Sequence, residues 1–429
     1  MADNSFLPHN NKALWEKAKE KFKQSPKDIN DLNKIFFKGK SPFFKEIDKN
    51  YKIEGDEFLK IYKYLKDLIL NLESMPTEIP LLKKDTKDKK EFTRKQVALI
   101  FLLSFFNLID ISQEKDRQTN NFRVYQVLLS SATGPIFEFG RCFLNYLTII
   151  GNWLSNNNPI LEEKIKFIRD TKIPENIKIR KDSKLCEIQF HKKDSLFVSN
   201  SSYYVDFANM FIGGGVLEGG CVQEEILFAI QPEAIVSMFF MEVMSDNDAI
   251  RIDNTIQYST YSGYGHSFKF EGSAIDINNT KNTIKKYKII AIDATVQHNV
   301  NEDFIDEKCI QRDIHKCFVG FNLVNFEKGE KKEEKTIATG NWGCGAFNGD
   351  HELKCLQQWV AASFVGIKKL DYYWYEAQEM EYIIDQIKVI ENKYKSANKL
   401  YKDLTDKQLC NGNVVNNLLD KDQNICVIS

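Results

Sequence analysis

Two adjacent glutamates follow three consecutive glycines in the stretch FIGGGVLEGGCVQEEILFAI, residues 211–230. Glycine costs conformational entropy on folding, so a run of three needs a reason. Bare backbone lets amide N–H groups approach an anionic ligand such as phosphate closely. A tight strand-to-helix turn would also explain a glycine triplet, and the spacing fits neither a GxGxxG nor a Walker loop.

The glutamates Glu224 and Glu225 are predicted to lie in the first turn of a helix that begins near Gln223. Consecutive helical side chains point in different directions, which does not suit the usual glycosidase pair of carboxylates flanking the sugar about 5 Å or more apart. One glutamate could instead act as acid and then as base while the other holds the substrate. Alternatively, the two acids only compensate the helix dipole, which stabilises by about 0.3–1 kcal/mol.

Two further loops carry residues that suit the same kind of ligand. The stretch TIATGNWGCGAFNGD, residues 336–350, is a second glycine-rich loop between a predicted strand and a predicted helix. Two such loops at strand ends are suited to a diphosphate. The stretch QYSTYSGYGHSF, residues 257–268, interleaves Tyr258, Tyr261 and Tyr264 with glycines. Such rings can stack on a base or a sugar, although tyrosine-rich loops also occur in plain interfaces.

Composition argues against several functional classes. The 429 residues carry 59 basic and 60 acidic side chains, a net charge of -1, without the basic excess expected of a duplex nucleic-acid binder. The nine cysteines include no CxxC pair and the six histidines are scattered, so we expect no metal, no cofactor and no disulfide framework. No apolar signal core or membrane-length run is present, which favours an intracellular protein, nuclear and/or cytoplasmic.

Hydrophobic periodicity predicts helices in the first third of the chain. Apolar residues recur at a spacing near 3.6 over residues 12–70, and residues 93–109 and 134–154 are predicted as buried helices. We therefore expect residues 1–150 to form an all-helical accessory region. The charged stretch LLKKDTKDKKEF, residues 81–92, is predicted to be a solvated loop.

From about residue 184, short segments rich in β-branched and aromatic residues alternate with helical patterns, and LFVS, residues 196–199, is one of the predicted strands. This alternation indicates an α/β fold with a mixed β-sheet sandwiched by helices over residues 151–400. One long helix is predicted over residues 380–404, and residues 401–429 are predicted to form a polar tail.

Four segments resemble the poly(ADP-ribose) glycohydrolase family: VDFANMFIGGGVLEGGCVQEE, QYSTYSGYGHSFKF, KIIAIDAT and ATGNWGCGAFNGD. They follow the family's order across residues 205–350, and seven residues separate the three glycines from Gln223, a spacer within the range of the family's signature. The resemblance implies a macrodomain-like fold. It also implies hydrolysis of the ribose–ribose O-glycosidic bonds of poly(ADP-ribose), with release of ADP-ribose.

The resemblance further implies roles for individual residues. Glu225 would protonate the leaving ribose hydroxyl and later deprotonate the attacking water, while Glu224 and Asn209 would hold ribose hydroxyls. The other implied substrate contacts are an orienting amide, the glycine-loop backbone and aromatic rings over the ligand: Gln223, Gly213, Gly214, Gly215, Asn341, Gly343, Gly345, Ala346, Phe347, Tyr261, Tyr264 and Tyr375. A one-residue gap would select Trp374 instead of Tyr375. The family's acidic contact to adenine has no obvious counterpart, and an ungapped match falls on Ser195 and Leu196.

The last four residues, CVIS, satisfy the C-a-a-X pattern and predict farnesylation of Cys426, although a chance match is the alternative. The expected partners are poly(ADP-ribose) and ADP-ribosylated proteins, with a membrane only if Cys426 is prenylated, and the protein is expected to be a monomer. Two other functions stay open. One is a module that binds ADP-ribose without cleaving it, and the other is a hydrolase for ADP-ribose attached directly to proteins.

Overall fold

The computed structural model describes residues 4–72, 75–109, 118–171, 183–192, 195–277, 284–297, 307–326, 335–375, 377–406 and 414–421. Cys426 lies outside the described residues, so its lipidation stays a prediction. Among the described residues, no helix is both long enough and apolar enough to cross a membrane.

The first part of the chain is a helical region that contains the two apolar helices predicted over residues 93–109 and 134–154. Its helices are α1 (Lys12–Phe22), α2 (Ile29–Phe37), α3 (Pro42–Asn50), α4 (Lys52–Leu70), α5 (Arg94–Phe105), α6 (Val124–Ser130) and α7 (Gly134–Ser155). Helix α5 begins at a capping box in which Thr93 and Gln96 exchange hydrogen bonds, and apolar residues on all sides of it are buried. It therefore lies in the centre of the molecule, between the other helices and the sheet.

The central feature is an eight-stranded mixed sheet. The strands of the molecule are β1 (Asn4–Phe6), β2 (Glu78–Pro80), β3 (Asp88–Thr93), β4 (Lys164–Asp170), β5 (Glu187–His191), β6 (Tyr203–Ala208), β7 (Ala249–Ile256), β8 (Ser259–Ser262), β9 (Lys269–Ser273), β10 (Lys286–Asp293), β11 (Thr336–Gly340) and β12 (Lys369–Tyr373). The sheet order is β3-β4-β7-β10-β6-β11-β12-β5. The strands from β3 to β10 pair antiparallel and those from β10 to β5 pair parallel.

Helices cover both faces of this sheet, as expected for a macrodomain-like fold. The remaining helices are α8 (Gln223–Ile230), α9 (Glu307–Asn322), α10 (His351–Val365), α11 (Glu381–Tyr394), α12 (Ala397–Leu404) and α13 (Val414–Asp420). One hydrophobic core joins α8 and the helical region to one face of the sheet. A second core joins α9 to α13 to the other face. The predicted α/β sandwich is therefore confirmed.

The predicted N-terminal helical region is present, although it is not purely helical, because it also contains the short strands β1, β2 and β3. Three local predictions were wrong. The charged stretch at 81–92 is not only a loop, since it includes the edge strand β3. Phe92 on β3 packs against Phe167 and Phe240, and these two aromatic contacts dock a strand whose remaining residues are polar or charged, as is typical of an edge strand.

Residues 196–198 form a 3₁₀ helix instead of a strand, with Leu196 and Phe197 buried. The helix predicted over 380–404 ends at Tyr394 and restarts at Ala397, because Lys395 adopts a left-handed conformation with φ of 53°. The domain boundaries at residues 150 and 400 stay predictions.

Candidate active site

A cleft of about 1000 Å³ opens at the carboxyl end of the parallel strands. The sequence-predicted residues that line it are Asn209, Gln223, Glu224, Glu225, Tyr261, Tyr264, Asn341, Gly343, Gly345, Ala346, Phe347 and Tyr375. Gly213, Gly214 and Gly215 are not among the residues that line it. The fold thus brings together three loops that are distributed over residues 211–349 of the sequence.

The cleft exists because two neighbouring strands separate. Strand β6 pairs with β11 only at Tyr203 and Tyr204, whereas its pairing with β10 continues to Ala208. The side-chain amide of Gln223 replaces the missing strand, since its Oε1 accepts from Phe207 N at 2.8 Å and its Nε2 donates to Val205 O at 3.2 Å. Gln223 therefore holds the cleft open through the backbone of β6, rather than orienting a substrate with a free amide as the resemblance implied.

The first glycine loop, residues 211–216, wraps around the two glutamates. Glu224 accepts from Asn209 N at 2.8 Å and from Gly213 N at 2.6 Å, one bond at each oxygen. Glu225 accepts in the same way from Gly215 N and Val222 N, both at 2.9 Å. These bonds fix both carboxylates, and among the described residues neither has a cationic partner.

The amide groups of this first loop are consequently already in use. Gly214 N donates to Phe211 O at 3.1 Å, and the N–H groups of Gly213 and Gly215 are bound by the glutamates. The expectation that glycines 213–215 cradle a diphosphate through free N–H groups is therefore wrong for the structure as described. Their role is to hold the carboxylates.

Only glycine fits at the tightest point of this loop. Gly214 has φ of 49°, and a Cβ there would lie 2.5 Å from Glu225 Oε1 and 2.6 Å from Glu224 Oε2. Both the left-handed backbone and the contact with two carboxylates exclude a side chain. This answers why three glycines stand beside paired glutamates.

The second glycine loop, residues 341–349, offers free donors. Within the described chain, no hydrogen bond occupies the N–H groups of Gly343, Gly345, Ala346 and Phe347. The loop is closed by Gly349 N, which donates to Gly343 O at 2.9 Å, and Trp342 Nε1 anchors it to Ile292 O at 2.8 Å. Convergent unpaired N–H groups favour an anion, so this loop can hold a diphosphate.

A buried lysine lies beneath the second loop. Lys354 is 2% exposed, pairs with Asp313, and its Nζ lies 4.9 Å from the centre of the Trp342 ring. A Cβ at Gly349 would come within 2.6 Å of its Cε, so the side chain supports the loop directly.

Asp206 is a site residue that the sequence reasoning missed. It lies on β6 beneath the glutamates with 0% exposure, and within the described chain neither of its carboxyl oxygens has a hydrogen-bond partner. Burial raises the pKa of Asp206 well above its usual range, and the charge of Glu225 raises it further. The sequence signal that could have identified Asp206 is its position in a predicted strand, on the same face as Tyr204 and Ala208, where an acidic side chain is unusual.

Burial and the neighbouring Asp206 also raise the pKa of Glu224, while the N–H groups of Asn209 and Gly213 oppose the shift. Glu224 accepts two N–H bonds and Asp206 accepts none, so we infer that Asp206 is the carboxyl that keeps a proton.

The tyrosines of the β8–β9 hairpin form one wall of the cleft. Tyr261 stacks on Phe268 with ring centres 5.5 Å apart, and its hydroxyl lies 3.4 Å from Ser195 Oγ. Tyr264 is 50% exposed, and burial of its hydroxyl raises its pKa, opposed by a backbone hydrogen bond from Gln223. Tyr264 thus reaches over the start of α8, next to the glutamates.

Of the two aromatic residues that follow β12, Tyr375 is the one that lines the cleft. Tyr375 is 66% exposed with φ of 50° and lines the cleft, whereas Trp374 is 6% exposed and packs in the second core. Asn341 holds this segment, because its Nδ2 donates to Trp374 O at 2.9 Å and its Oδ1 accepts from Tyr372 at 3.3 Å. The amide of Asn341 is thereby occupied by protein.

Asn209 retains a free donor. Its Oδ1 accepts from Phe211 N at 2.9 Å, and among the described residues its Nδ2 has no partner. At the end of the cleft near Ser195 and Leu196 the lining is neutral or basic, since only Glu224 and Glu225 are acidic among the lining residues. Lys285 is held there by the carbonyls of Phe197 at 3.0 Å and Ser199 at 2.5 Å.

Among the described residues, no group of three or more His, Cys, Asp or Glu side chains is placed to hold a metal ion. Two carboxylates positioned by backbone N–H groups lie beside a loop with unpaired N–H donors, an arrangement suited to proton transfer on an anionic substrate.

Comparisons with known proteins agree with this geometry. The model "Poly (ADP-ribose) glycohydrolase (PARG), helical domain" matches residues 53–169, and "Poly (ADP-ribose) glycohydrolase (PARG), Macro domain fold" matches residues 175–382. The chain is 29% identical to poly(ADP-ribose) glycohydrolase 1 of Arabidopsis thaliana over 58% of its own length and 56% of that protein. It is 35% identical to poly(ADP-ribose) glycohydrolase 1 of Caenorhabditis elegans over 46% of its length and 26% of that protein.

The chain thus spans about half, or less, of the length of these relatives. A crystal structure of poly(ADP-ribose) glycohydrolase from Thermomonospora curvata aligns with 46% of this chain and 73% of that one, at 14% identity and a TM-score of 0.33. At that score the similarity adds nothing to the fold assignment, which rests on the family models and on the sheet itself.

Proposed function

Since the chain belongs to the poly(ADP-ribose) glycohydrolase family, we propose that it hydrolyses the ribose–ribose O-glycosidic bonds of poly(ADP-ribose) and releases ADP-ribose. The observation that supports this most directly is the pair Glu224–Glu225, held by four backbone N–H bonds beside a loop with free N–H groups. A diphosphate on the second loop would place the adjoining ribose near the carboxylates.

Glu225 is the proton-transfer residue in this proposal. Each of its oxygens accepts one N–H bond, which leaves a second lone pair on each oxygen free to carry a proton. In its protonated form it gives that proton to the leaving ribose oxygen as the glycosidic C–O bond breaks. It then takes a proton from the water that adds to the anomeric carbon, which restores the acid.

The neighbouring groups have supporting roles. Glu224 accepts ribose hydroxyls and its charge stabilises the oxocarbenium-like transition state, while the free Nδ2 of Asn209 donates to a ribose oxygen. Tyr264 and Tyr375 cover the ligand from the two walls of the cleft. The second loop supplies the anion-binding donors.

The test is release of free ADP-ribose from purified poly(ADP-ribose) by the native protein and by Glu225→Gln. We expect the variant to lose activity by about 10²- to 10⁴-fold, the usual contribution of a positioned acid–base group, while it still binds ADP-ribose. Glu218→Gln is a matched control, because Glu218 is an exposed acid of the same segment whose side chain accepts from Asn121, outside the lining of the cleft.

The other outcomes select other functions. Binding of ADP-ribose by native protein that releases none would identify a reader module. Consumption of a mono-ADP-ribosylated protein, with the polymer left intact, would identify a hydrolase of the protein-linked unit. Activity of Glu225→Gln equal to that of Glu218→Gln would overturn the role of Glu225.

The proposal extends to partners and location. ADP-ribosylated proteins are the expected macromolecular partners, and the chain is expected to act as an intracellular monomer in the nucleus, the cytoplasm or both. The balanced charge supports a protein partner over duplex nucleic acid, because a chain without a basic excess does not attract the phosphate backbone of a duplex. A stable dimer in light scattering, or secretion of the tagged protein, would contradict it.

A further inference from the structure

The amide of Asn120 contacts the first glycine loop from the side away from the glutamates. Its Nδ2 donates to three carbonyls of this loop, those of Phe211 at 3.1 Å, Ile212 at 2.9 Å and Gly214 at 2.9 Å. Asn120 belongs to the helical region, between α5 and α6, more than 90 residues from the loop. A segment outside the macrodomain-like fold therefore reaches the carboxylate-bearing loop.

Two of these carbonyls belong to the same peptide units that bind the glutamates. The unit between Ile212 and Gly213 gives its C=O to Asn120 and its N–H to Glu224. The unit between Gly214 and Gly215 gives its C=O to Asn120 and its N–H to Glu225. Since C=O and N–H of a trans peptide point in opposite directions, holding the carbonyl also aims the N–H.

The position of Asn120 is itself fixed. Its Oδ1 accepts from Asn121 N at 2.7 Å, so the NH₂ group must face the three carbonyls. The preceding residues are tied to the segment that leads into β7, because Val243 N donates to Gln118 O at 2.5 Å and Thr119 forms a bridge with Glu242. The amide is thus presented by an ordered piece of backbone.

We propose that Asn120 is a positioning residue for Glu224 and Glu225, an inference that rests on the proposed function. By donating to the loop carbonyls it holds two peptide units with their N–H groups on the carboxylates. Bonds at both ends of a peptide unit also polarise it and strengthen the N–H bonds to the carboxylates. Without this donor, rotation of either flexible glycine peptide would release a glutamate.

The deciding variant is Asn120→Asp. Aspartate has nearly the same shape and keeps the acceptor for Asn121 N, but it turns an oxygen toward three carbonyls. Asn121→Asp is the matched control, because it adds the same charge one residue away, where the lost bonds are to Glu218 and Gln126. Asn120→Ala removes the donor without adding charge, and decides the question if Asn120→Asp does not fold.

We expect Asn120→Asp to lower kcat on poly(ADP-ribose) by about 10- to 100-fold, the scale of one or two lost charge-assisted hydrogen bonds. The affinity for ADP-ribose should change by about threefold or less, because the free N–H groups of the second loop remain. Amide exchange at Gly213 and Gly215 should accelerate in Asn120→Asp and not in Asn121→Asp.

Equal kcat in the two variants, with unchanged exchange at Gly213 and Gly215, would overturn the inference. A fall in kcat would also overturn the inference if the affinity for ADP-ribose fell by a similar factor and the melting temperature fell as well. General misfolding produces that combination. If the native protein does not cleave the polymer, the proposed function fails, and the exchange rates still decide what Asn120 holds.

Discussion

Among single residues, Asp206 makes the stability of the fold depend on pH. Burial and Glu225 raise the pKa of its carboxyl group, so the folded state keeps a proton that the unfolded chain loses above about pH 4. The contribution to stability is fully present below that pH and is lost as pH rises toward the raised pKa. We expect Asp206→Asn, which is neutral at every pH, to reduce the fall in the free energy of unfolding between about pH 5 and pH 8.

Urea unfolding at several pH values measures this slope. Asp420→Asn is the control, since Asp420 is exposed at the end of α13. Only the slopes of the free energy of unfolding against pH are compared. The absolute values also change, because the amide of Asp206→Asn brings N–H donors that lack partners at this buried position. If the native protein and Asp206→Asn give parallel curves, Asp206 is ionised in the folded state and another carboxyl of the group carries the proton.

Among elements, helix α7 positions the tyrosine hairpin of the cleft. Asn145 Nδ2 donates to Tyr258 O at 2.9 Å and to Ser259 Oγ at 3.1 Å, where β8 begins. Phe139 of the same helix packs edge-on against Phe268, which supports Tyr261. We expect Asn145→Leu to weaken ADP-ribose binding by about 3- to 10-fold, since the lost bonds are neutral and hold a wall of the cleft.

Titration calorimetry with ADP-ribose measures this change. The matched control is Asn152→Leu on the same helix, where the amide donates to Thr148 O within α7 itself. The value of kcat should stay near the native one, because the glutamates are held by other elements. A loss of kcat without a loss of affinity would show that the hairpin does not act as a binding wall.

At the scale of the whole molecule, the helical region and the sheet share one core and one buried ion pair. Arg94 of α5 is fully buried, pairs with Glu233 beyond α8 and donates to Asn254 O at 2.8 Å. We expect Arg94→Met to lower the free energy of unfolding by about 3–5 kcal/mol, because Glu233 would be left buried without a cation.

Denaturant unfolding followed by fluorescence and by circular dichroism tests this prediction. Lys95→Met is the control, since Lys95 is the exposed neighbour of Arg94 on the same helix. The two probes should give one coincident transition for the native protein, as expected when a single core spans both parts. Two separate transitions, with only one affected by Arg94→Met, would mean that the helical region and the sheet fold independently.

Much of the fold followed from local patterns. The period of 3.6 located α5 and α7, and the alternation of strand and helical patterns from about residue 184 indicated the mixed sheet, because a residue's spacing along a helix or strand decides which face it presents. The glycines and glutamates of residues 213–225 and the loop at 341–349 were recognisable because unusual residue types stood together. Strand β3 was missed because edge strands tolerate charge and resemble loops.

What each group does was decided by the tertiary structure. Whether a glycine N–H faces a ligand or a carboxylate depends on the orientation of its peptide unit, and here Glu224 and Glu225 take the donors of the first loop while the second loop keeps its own. Spacing gave no signal for Asn120, and for Asp206 the alternation along β6 indicated only an acid on the inward face of the strand. Their roles come from a hydrogen bond spanning more than 90 residues and from burial beneath α8, and both exist only when the chain is folded.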